Sequence, residues 1–466
     1  MGKQRKHLQG RRGEVFAKLI SGVSRDQIVC VAIDVHKYYH KVLIINASLE
    51  ILVPSFQVDI FQSGYEYLCA VIDEVVARTD AQVLFIGMEP TSHYFENLAR
   101  HLRRRYPHVR LVNSYAVREN RNQKMLRRQK DDEIDLCSIA DLLLRNECCP
   151  FQPLREDYLR LQYWVRYRKA KVKMRTALMN QVIGHLDRIF PGLVRLNDRV
   201  QDGHPQLFPK FWQTQTAQRL IRLCPNPRQL AAMQPEVLLE LYHDHGYRLG
   251  RKMAQRIIHF AQQVLLPSED EVEARLPLLQ TDLQLLDSLN AIICSAEEQI
   301  ATYLAKTKGC ILLHVKGIGI LRAASYIAGI GNPEHYERAA QTFRRSGLVS
   351  GRHDSGIHQR GGQGQRVTKV GDRHLRSALH QLTIGLCQWQ PYFDQYKNRL
   401  QARGKHPGVA VVATARKVNG VLFALMRDQS HFEPRNAKGQ PIAPRQSIRE
   451  KSKAAADIGP SKAALS

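Results

Sequence analysis

The segment KDDEID, residues 130–135, places four carboxylates within five positions of a strongly basic chain. On a helix, Asp132 and Asp135 share one face with the apolar residues of the segment that follows, which are Leu136, Ile139 and Leu143. Two carboxylates on the apolar side of a helix are costly unless a cation compensates their charge. The spacing therefore predicts one half of a metal site.

Two further acids stand at the ends of apolar strands. Asp34 lies near the end of IVCVAIDV, and Glu89 directly follows QVLFIGM. Four such carboxylates can hold two Mg²⁺ (or Mn²⁺) ions about 4 Å apart, which suits an in-line phosphoryl displacement. A single acid after a strand is usually a turn or cap residue, and an acidic helix start is usually solvated. Only the combination of these acids indicates a metal site.

Positive charge surrounds these acids. The 466 residues include 69 Lys and Arg against 43 Asp and Glu, which gives a formal net charge of +26 and favours nucleic acid or another anionic partner. Arg127, Arg128 and Lys130 directly precede the acidic segment. We expect them to hold the DNA backbone while bound cations bridge the acids to a phosphate. Many charged proteins share this composition, so charge alone does not decide the function.

A glycine-containing turn is predicted within residues 315–331. Lys316, Gly317 and Gly319 stand between two apolar stretches, in a pattern that resembles a helix-hairpin-helix. Such a turn presents backbone N–H groups to phosphate and binds DNA with little regard to sequence. An ordinary turn between helices is the alternative interpretation.

A glycine-rich, basic stretch at 346–379 contains Ser355. Glycines allow close backbone approach to a ligand, and guanidinium groups bind phosphodiesters. A serine hydroxyl becomes an effective nucleophile when its proton is removed and the developing charge is stabilised. Arg352 and Arg360 are candidates for that stabilisation, His353 for proton transfer, and Arg366 and Lys369 for phosphate binding. A serine in a glycine loop is most often only a loop residue.

Hydrophobic periodicity predicts the elements that position these residues. Strands are expected at 28–35, 39–47, 51–56, 82–88 and 111–113, and helices near 61–77, 92–104 and up to 147. The pattern indicates a mixed sheet covered by helices. A long basic helix is predicted at 155–190, and a second apolar repeat runs through Leu286, Leu289, Ile293 and Ile300. The two could form an antiparallel coiled coil or dimerising helices.

The predicted domain organisation has five parts. They are a basic flexible arm at 1–26, a domain with the acidic residues at 27–150, a helical linker at 151–307 with an insert at 191–280, a second compact domain at 308–428 and a basic disordered tail at 429–466. The insert shows no evident chemistry.

A membrane or secreted location is not expected. No apolar run approaches the length of a membrane span, and the best candidate, 312–331, contains Lys316 and Arg322. The N-terminal segment is basic and lacks the apolar core of a signal peptide. Nine cysteines without a CxxC pair indicate reduced thiols in a cytosolic protein.

The order of these motifs resembles the DEDD transposases of insertion sequences, also called bridge-RNA-guided recombinases. The matching stretches are VAIDVHK, GMEPTSHY, KDDEID, KGIG and GLVSGRHDSG…VTKVGDRHLRSAL. They cover most of 28–150 and 308–428. The resemblance implies an α/β plus α architecture, in which a coiled coil joins an N-terminal RuvC-like domain (RNase H fold) to a mainly helical transposase domain.

The resemblance also implies roles. Asp34, Glu89, Asp132 and Asp135 correspond to the metal-binding acids, and Ser355 to the serine that becomes transiently linked to DNA. Family members act as tetramers, arranged as dimers of dimers, in which an acidic domain and a serine from different subunits form one site. A structured guide RNA pairs with the double-stranded DNA of the element ends and of the target. These implications place the protein in a prokaryotic cytoplasm, at the nucleoid during action, without a membrane partner.

Some positions depart from the family pattern. Asp131 and Leu136 stand where Thr and Ala are usual, which makes Asp131 a rival to Asp132, and Ile357 and His358 stand where a further serine commonly follows. One alternative function is a RuvC-like metal-dependent DNA endonuclease, of the junction-resolvase type, without a covalent intermediate. Another is a nucleic-acid-binding protein without catalysis. A tyrosine recombinase is disfavoured because no Arg/His/Arg cluster precedes a lone tyrosine in the C-terminal third.

Overall fold

The computed structural model describes residues 9–124, 132–194, 206–208, 210–349, 367–436 and 438–446. The chain forms two compact units, Met1–Pro153 and Leu154–Ser466. The first contains a six-stranded sheet and the second is helical. The predicted mixed sheet with many helices is therefore confirmed. The five-part division, the RuvC-like assignment and the coiled coil stay predictions.

The sheet of the first unit has the strand order β3-β2-β1-β4-β5-β6. Its strands are β1 (Ile28–Val35), β2 (Tyr39–Asn46), β3 (Ile51–Asp59), β4 (Val83–Met88), β5 (Val109–Val112) and β6 (Cys148–Pro150). β1 is parallel to β4, and β4 to β5, whereas the remaining neighbours are antiparallel. The carboxyl ends of the three parallel strands therefore meet at one edge. The short β6 was not predicted.

Alternating residues of β1 face two separate helical layers. Val29, Val31 and Ile33 belong to a core with the helices α2 (Gln62–Arg78) and α3 (Phe95–Arg105). Cys30 and Ala32 belong to a core on the other face, where the described helices are α1 (Gly10–Ile20), α4 (Ser114–Lys124) and α5 (Asp132–Leu144). β1 is thus covered on both faces, which explains why it is apolar from Ile28 to Ile33, before Asp34 near its end.

Helix α1 corrects the prediction of a flexible arm over 1–26. The Phe16 ring stacks on Phe85 of the sheet with 5.3 Å between centroids, and Leu19 and Ile20 pack against the same core. The Gln9 side chain donates to the backbone carbonyl of Arg145 over 2.7 Å. The high Lys and Arg content of this segment concealed an amphipathic helix, since cationic residues can occupy its solvent face.

Two long helices, α6 (Glu156–Ile189) and α11 (Glu269–Ala305), dominate the second unit. Arg168 pairs with Glu297 at 2.7 Å, and Arg175 donates to Asn290 at 3.3 Å. Because the partner's number falls as the α6 number rises, the helices run antiparallel. The apolar residues predicted to form the repeat are all buried in the described part of the unit, and they are Leu286, Leu289, Ile293 and Ile300.

The predicted insert between these helices forms a core together with their adjoining ends. Its helices are α7 (Gln215–Leu223), α8 (Pro227–Ala232), α9 (Pro235–Asp244) and α10 (Arg251–Gln263). Phe190, Phe208 and Tyr242 are fully buried there. Prolines begin α8 and α9, where the missing N–H group carries little cost.

The remaining helices form a second core with the other ends of α6 and α11. They are α12 (Ile320–Ile330), α13 (Ala339–Ser346), α14 (Arg373–Trp389), α15 (Pro391–Ala402) and α16 (Pro407–Asp428). Part of the tail predicted to be disordered packs against this bundle. Phe432 stacks on Phe393 at 5.6 Å, and Arg445 pairs with Asp394 at 2.7 Å. Residues 447–466 lie outside the described residues.

Among the described residues, the helix that is long enough and apolar enough to cross a membrane is α16. The sequence had instead suggested 312–331 as the best candidate. Half of the apolar window of α16 is buried within the protein, and Val418 and Leu422 are fully buried. A core helix of a soluble protein passes the same test, so this helix is weak evidence for a span.

Candidate active site

Asp34 and Glu89 are brought together by the parallel pairing of β1 with β4. Ile33 is paired with Met88, so the next residues along both strands are Asp34 and Glu89. Asp34 continues the row of Cys30 and Ala32, whose side chains face α5. Both acids therefore stand at the edge where the parallel strands end.

Helix α5 brings Asp135 to the same edge. Near its start Glu133 accepts a hydrogen bond from Ser55 of β3 at 2.8 Å, and near its end Leu143 lies against Gly87 of β4. The helix therefore crosses the face of the sheet from β3 towards β4. Asp135 is only 7% exposed on this packed side, beside the fully buried Leu136.

The electrostatics of Glu89 reflect the proximity of the other two carboxylates. The pKa of Glu89 is raised above its usual value, first by burial and then by the negative charges of Asp34 and Asp135. A hydrogen bond with Ser114 and the positive charge of Arg121 act in the opposite direction. A partly buried carboxylate beside two others is an environment that a divalent cation stabilises.

Asp34 and Asp135 each have a cationic or ionisable partner that the sequence analysis missed. His36 Nε2 lies 3.0 Å from Asp34 Oδ2, and Arg121 Nη1 lies 2.7 and 2.9 Å from the two oxygens of Asp135. The spacing of VAIDVHK could have suggested His36, because it stands two residues after Asp34. Nothing in the spacing indicates Arg121, which comes from the preceding helix.

The residues present fit a hard cation by their chemistry, but they do not form a ligand cluster. Among the residues that the structure describes, no three His, Cys, Asp or Glu side chains are arranged to hold a metal ion. Asp132 is the first residue of α5, and its side chain is outside the description. Asp131, Arg127, Arg128 and Lys130 also lie outside the described residues.

The second unit contains the two ends of the predicted serine loop. Arg352, His353, Ser355, Arg360 and Arg366 all lie outside the described residues, which end at 349 and resume at 367. On either side of this gap the backbone N–H of Thr368 donates to the carbonyl of Val349 at 2.9 Å, and that of Lys369 donates to Gly347 at 3.1 Å. These hydrogen bonds hold together the two ends of 350–366, and we call this pairing of 345–349 with 367–372 the neck.

Arg376 of α14 crosslinks the neck. Its Nη1 donates to the backbone carbonyl of Ser346 at 3.1 Å and to that of Lys369 at 3.0 Å. Gly371, with φ +143°, allows a further hydrogen bond, from the N–H of Asp372 to the carbonyl of Arg345 at 2.7 Å. A Cβ at Gly371 would lie 2.3 Å from that carbonyl oxygen, so a side chain does not fit there. Sequence reasoning assigned Lys369 to DNA but missed Arg376.

The predicted glycine hairpin is a turn between a short 3₁₀ segment, Lys308–His314, and α12. Gly317 has φ +102° and packs so closely on Trp389 that a Cβ would lie 2.9 Å from its side chain. Lys316 lies over the Trp389 ring at 5.7 Å, and Gln390 donates to the Lys316 carbonyl at 2.8 Å. Gly319 stands at the start of α12, where a Cβ would meet open space.

Comparison with known protein families identifies the chain. Residues 31–191 match the DEDD transposase model of IS110 elements, and residues 310–398 match a model described as the transposase of the IS116/IS110/IS902 family. The first match contains the three acids of the sheet edge, and the second contains both ends of the neck. The chain belongs to the IS110 family of DEDD transposases.

Two curated relatives are similar to parts of the chain. An uncharacterized 43.6 kDa protein of insertion element IS110 from Streptomyces coelicolor is 25% identical over 58% of this chain and 63% of its own length. A pilin gene-inverting protein from Moraxella bovis is 25% identical over 28% of this chain and 39% of its own. The matches thus span less than two thirds of either relative.

Proposed function

We propose that the protein is the transposase of an insertion sequence, which it excises and integrates by cleaving and rejoining DNA strands. The observation that carries the proposal is the convergence of Asp34, Glu89 and Asp135 at one edge of the sheet. Family membership supports DNA as the substrate, and the pilin gene-inverting relative supports a rearrangement reaction. The sheet order and the carboxylates agree with a RuvC-like domain.

Asp34, Glu89 and Asp135, together with Asp132, would hold Mg²⁺ or Mn²⁺. When bound, such a cation polarises the scissile phosphate and neutralises charge that develops during displacement. Arg121 contributes a second positive charge at the same edge, because it holds Asp135. His36 holds Asp34 in place through the contact with its carboxylate. His36 therefore positions its acid, whereas Arg121 balances the charge of Asp135 until a cation binds.

Ser355 is the proposed nucleophile. Its Oγ forms a bond to phosphorus as the bond from phosphorus to the leaving DNA oxygen breaks, and the serine proton is transferred to a base such as His353. The leaving strand ends as a hydroxyl. Attack by a second strand's hydroxyl restores the free serine, so the energy of the broken phosphodiester is conserved. Arg352, Arg360, Arg366 and Lys369 stabilise the phosphate charge.

A structured guide RNA and a homo-oligomer complete the proposal. Base pairing with the RNA chooses the element ends and the target, which accounts for a basic protein whose sequence contains no recognisable base-reading motif. A dimer of dimers supplies acids and serine from different subunits to each composite site. The protein acts in a prokaryotic cytoplasm, at the nucleoid.

The decisive experiment is a denaturing gel of full-length protein incubated with guide RNA, Mg²⁺ and labelled DNA of the element ends. We expect a covalent protein–DNA product, which Ser355→Ala abolishes. A RuvC-like endonuclease would instead cleave equally well with Ser355→Ala and leave no adduct. Omission of the RNA tests guidance in the same gel.

The choice between two neighbouring acids can be tested in this assay. Asp132→Asn should abolish cleavage and adduct formation with the fold retained, whereas Asp131→Asn should cleave nearly as wild type. The opposite result would make Asp131 the ligand. Cleavage retained in both variants would remove this helix start from the site.

A further inference from the structure

A cavity of about 330 Å³ lies beyond the carboxyl end of β1, on the side of the sheet that α2 and α3 cover. One wall is formed by the turn between β1 and β2. The other walls are formed by the end of β3, the start of α2, and α3 together with Tyr94, which precedes it. The volume falls at the lower end of the range of small-molecule sites. No residue of this cavity belongs to the four acids.

Imidazole rings give the cavity its polar character. His36, His40 and His101 all line it. His40 is 5% exposed, and its buried Nδ1 has no hydrogen-bond partner among the described residues. Burial, and then the proximity of His36, lowers the pKa of His40, so its ring is neutral near pH 7. That atom is shielded even from water, so the imidazole atoms that the cavity can offer to a ligand are those of the partly exposed His36 and His101.

The other lining residues include aromatic and amide side chains together with Asp59, Lys37 and aliphatic residues. Tyr65 and Tyr94 present ring surfaces, and Asn97 presents a side-chain amide. His101 Nδ1 donates to the backbone carbonyl of Asn97 at 2.9 Å. The Nε2 atom of that ring is therefore its other hydrogen-bonding atom. The lining also contains Asp59, whose Oδ1 already accepts a hydrogen bond from the Phe61 backbone N–H at 2.9 Å. Aromatic residues beside imidazole, amide and carboxylate groups suit the flat face and polar edge of a nucleobase. Lys37 at the rim suits the attached phosphate.

His36 connects this cavity to the acids, because the same ring lines the cavity and contacts Asp34 at 3.0 Å. Asp34 lies on the α5 side of the sheet and the cavity on the α2 and α3 side, so a strand whose phosphate lies at Asp34 would reach the cavity by passing His36 at the end of β1. We propose that the cavity accepts one unstacked nucleobase of the DNA strand whose phosphate lies at Asp34 and Glu89. The inference rests on the proposed function, which it deepens by adding a nucleotide-binding site beside the cleavage site.

The test uses the full-length protein in EDTA, so that binding is separated from cleavage. Two probes are compared, a single-stranded DNA 12-mer and a 12-mer of the same charge whose bases are replaced by abasic tetrahydrofuran units. Tyr94→Ala and Asn97→Ala remove two walls of the cavity. Tyr67→Ala is the matched control, because Tyr67 is an exposed tyrosine of α2 outside the cavity.

We expect Tyr94→Ala to weaken binding of the normal 12-mer roughly tenfold, as the loss of one stacking contact predicts, and to leave the abasic probe unchanged. Asn97→Ala, at an exposed position that folding tolerates, should act in the same direction, and Tyr67→Ala should change neither probe. Equal losses with both probes, or no loss in either cavity variant, would overturn the proposal. A loss confined to an RNA 12-mer would overturn the assignment to DNA.

Asp34→Asn separates this inference from the proposed function. It should abolish cleavage and keep the preference for the normal 12-mer over the abasic one. If wild-type protein never cleaves DNA but shows the preference that Tyr94 and Asn97 control, the proposed function fails and the nucleobase site stands. If cleavage requires Asp34 but no preference depends on these residues, the nucleobase site alone fails.

Discussion

Arg121 of α4 holds Asp135 of α5 through a single guanidinium nitrogen, which lies 2.7 Å from Oδ1 and 2.9 Å from Oδ2. The Asp135 side chain is 9% exposed and that of Arg121 is 21% exposed, so the pair is largely shielded from water. Both carboxylate oxygens are engaged by the arginine. Each oxygen keeps a further lone pair, so a cation can still bind Asp135, but it must share one negative charge with Arg121, and the two positive partners therefore compete for this carboxylate.

Arg121→Ala tests this competition. The change leaves Asp135 buried without its partner, so the unfolding free energy in EDTA should fall by about 2 kcal/mol, less than for a fully buried pair because Arg121 is partly exposed. Mg²⁺ should restore part of the loss, since it can take over the charge compensation. Urea denaturation with and without Mg²⁺ measures both effects.

Arg118→Ala is the matched control for that experiment, because Arg118 is an exposed arginine of the same helix. It should change stability by less than about 0.5 kcal/mol. Equal effects of the two substitutions, or no rescue of Arg121→Ala by Mg²⁺, would contradict the competition.

Gly87→Ala should displace α5 from the sheet. A Cβ at Gly87 would lie 2.4 Å from Leu143 Cδ1, and the resulting overpacking should cost about 1–3 kcal/mol. Leu143→Ala alone should cost about 2–4 kcal/mol through the cavity it creates. The double variant should be more stable than the sum of the two losses predicts, by at least about 1 kcal/mol. Additive losses in denaturant titrations would show that the two residues do not set this contact.

Glu89→Gln should stabilise the protein near pH 7 while abolishing DNA cleavage. The pKa of Glu89 is raised in the folded state, so the folded protein binds this proton more readily than the unfolded chain does. Stability from this group is therefore present below the unfolded pKa, near 4.5, and is lost as pH rises through the raised folded value. Because glutamine carries no charge, the melting temperature in EDTA should rise by about 1–3 °C at pH 7 and hardly change below pH 4.

The second part of the Glu89 experiment measures stability in the presence of Mg²⁺. Calorimetric scans should show that Mg²⁺ raises the melting temperature of wild-type protein more than that of Glu89→Gln, because the variant has lost a ligand. Glu74→Gln, at an exposed position of α2, should behave as wild type in both conditions. A Glu89→Gln variant that is less stable than wild type in EDTA would show that the ionised Glu89 carboxylate is not destabilised by burial and by its acidic neighbours.

Arg376→Gln should slow DNA cleavage without preventing folding. The substitution removes the two hydrogen bonds with which Arg376 joins Ser346 to Lys369 across the neck. A serine held less accurately should react roughly 10- to 100-fold more slowly, with DNA affinity little changed. Arg373→Gln, an exposed neighbour on α14, should cleave as wild type. Single-turnover rates and binding isotherms separate the two effects, and equal rates for both variants would show that the neck does not position the serine.

Much of the first unit could be predicted from local sequence pattern. Continuous apolar runs identified β1 and β4 to within a residue of their ends, and the helical spacing placed Leu136, Ile139 and Leu143 on a buried face. The prediction failed at Gly10–Ile20, where positive charge obscured the apolar face of α1, and at Cys148–Pro150, because three residues are too short to show a period.

In the candidate site, too, some residues could be predicted from the sequence and others could not. Residue type and strand position selected Asp34 and Glu89, since acids at the ends of parallel strands converge whatever the rest of the chain does. The partners His36, Arg121 and Arg376 remained undetected. Arg121 lies on the helix before α5 and Arg376 on the helix that follows the neck, and only packing turns their side chains towards Asp135 and the neck.

The sequence by itself determined the family, the order of the elements and the acids at the strand ends, because these depend on residue type and on periods of two and 3.6 residues. Tertiary structure decided which cation faces each carboxylate, that one ring connects Asp34 to a cavity, and that Arg376 joins both sides of the neck. These relationships depend on where packing fixes each side chain, and residue spacing alone does not give the distance between two side chains, whether the residues are two apart, as Asp34 and His36 are, or 14 apart, as Arg121 and Asp135 are.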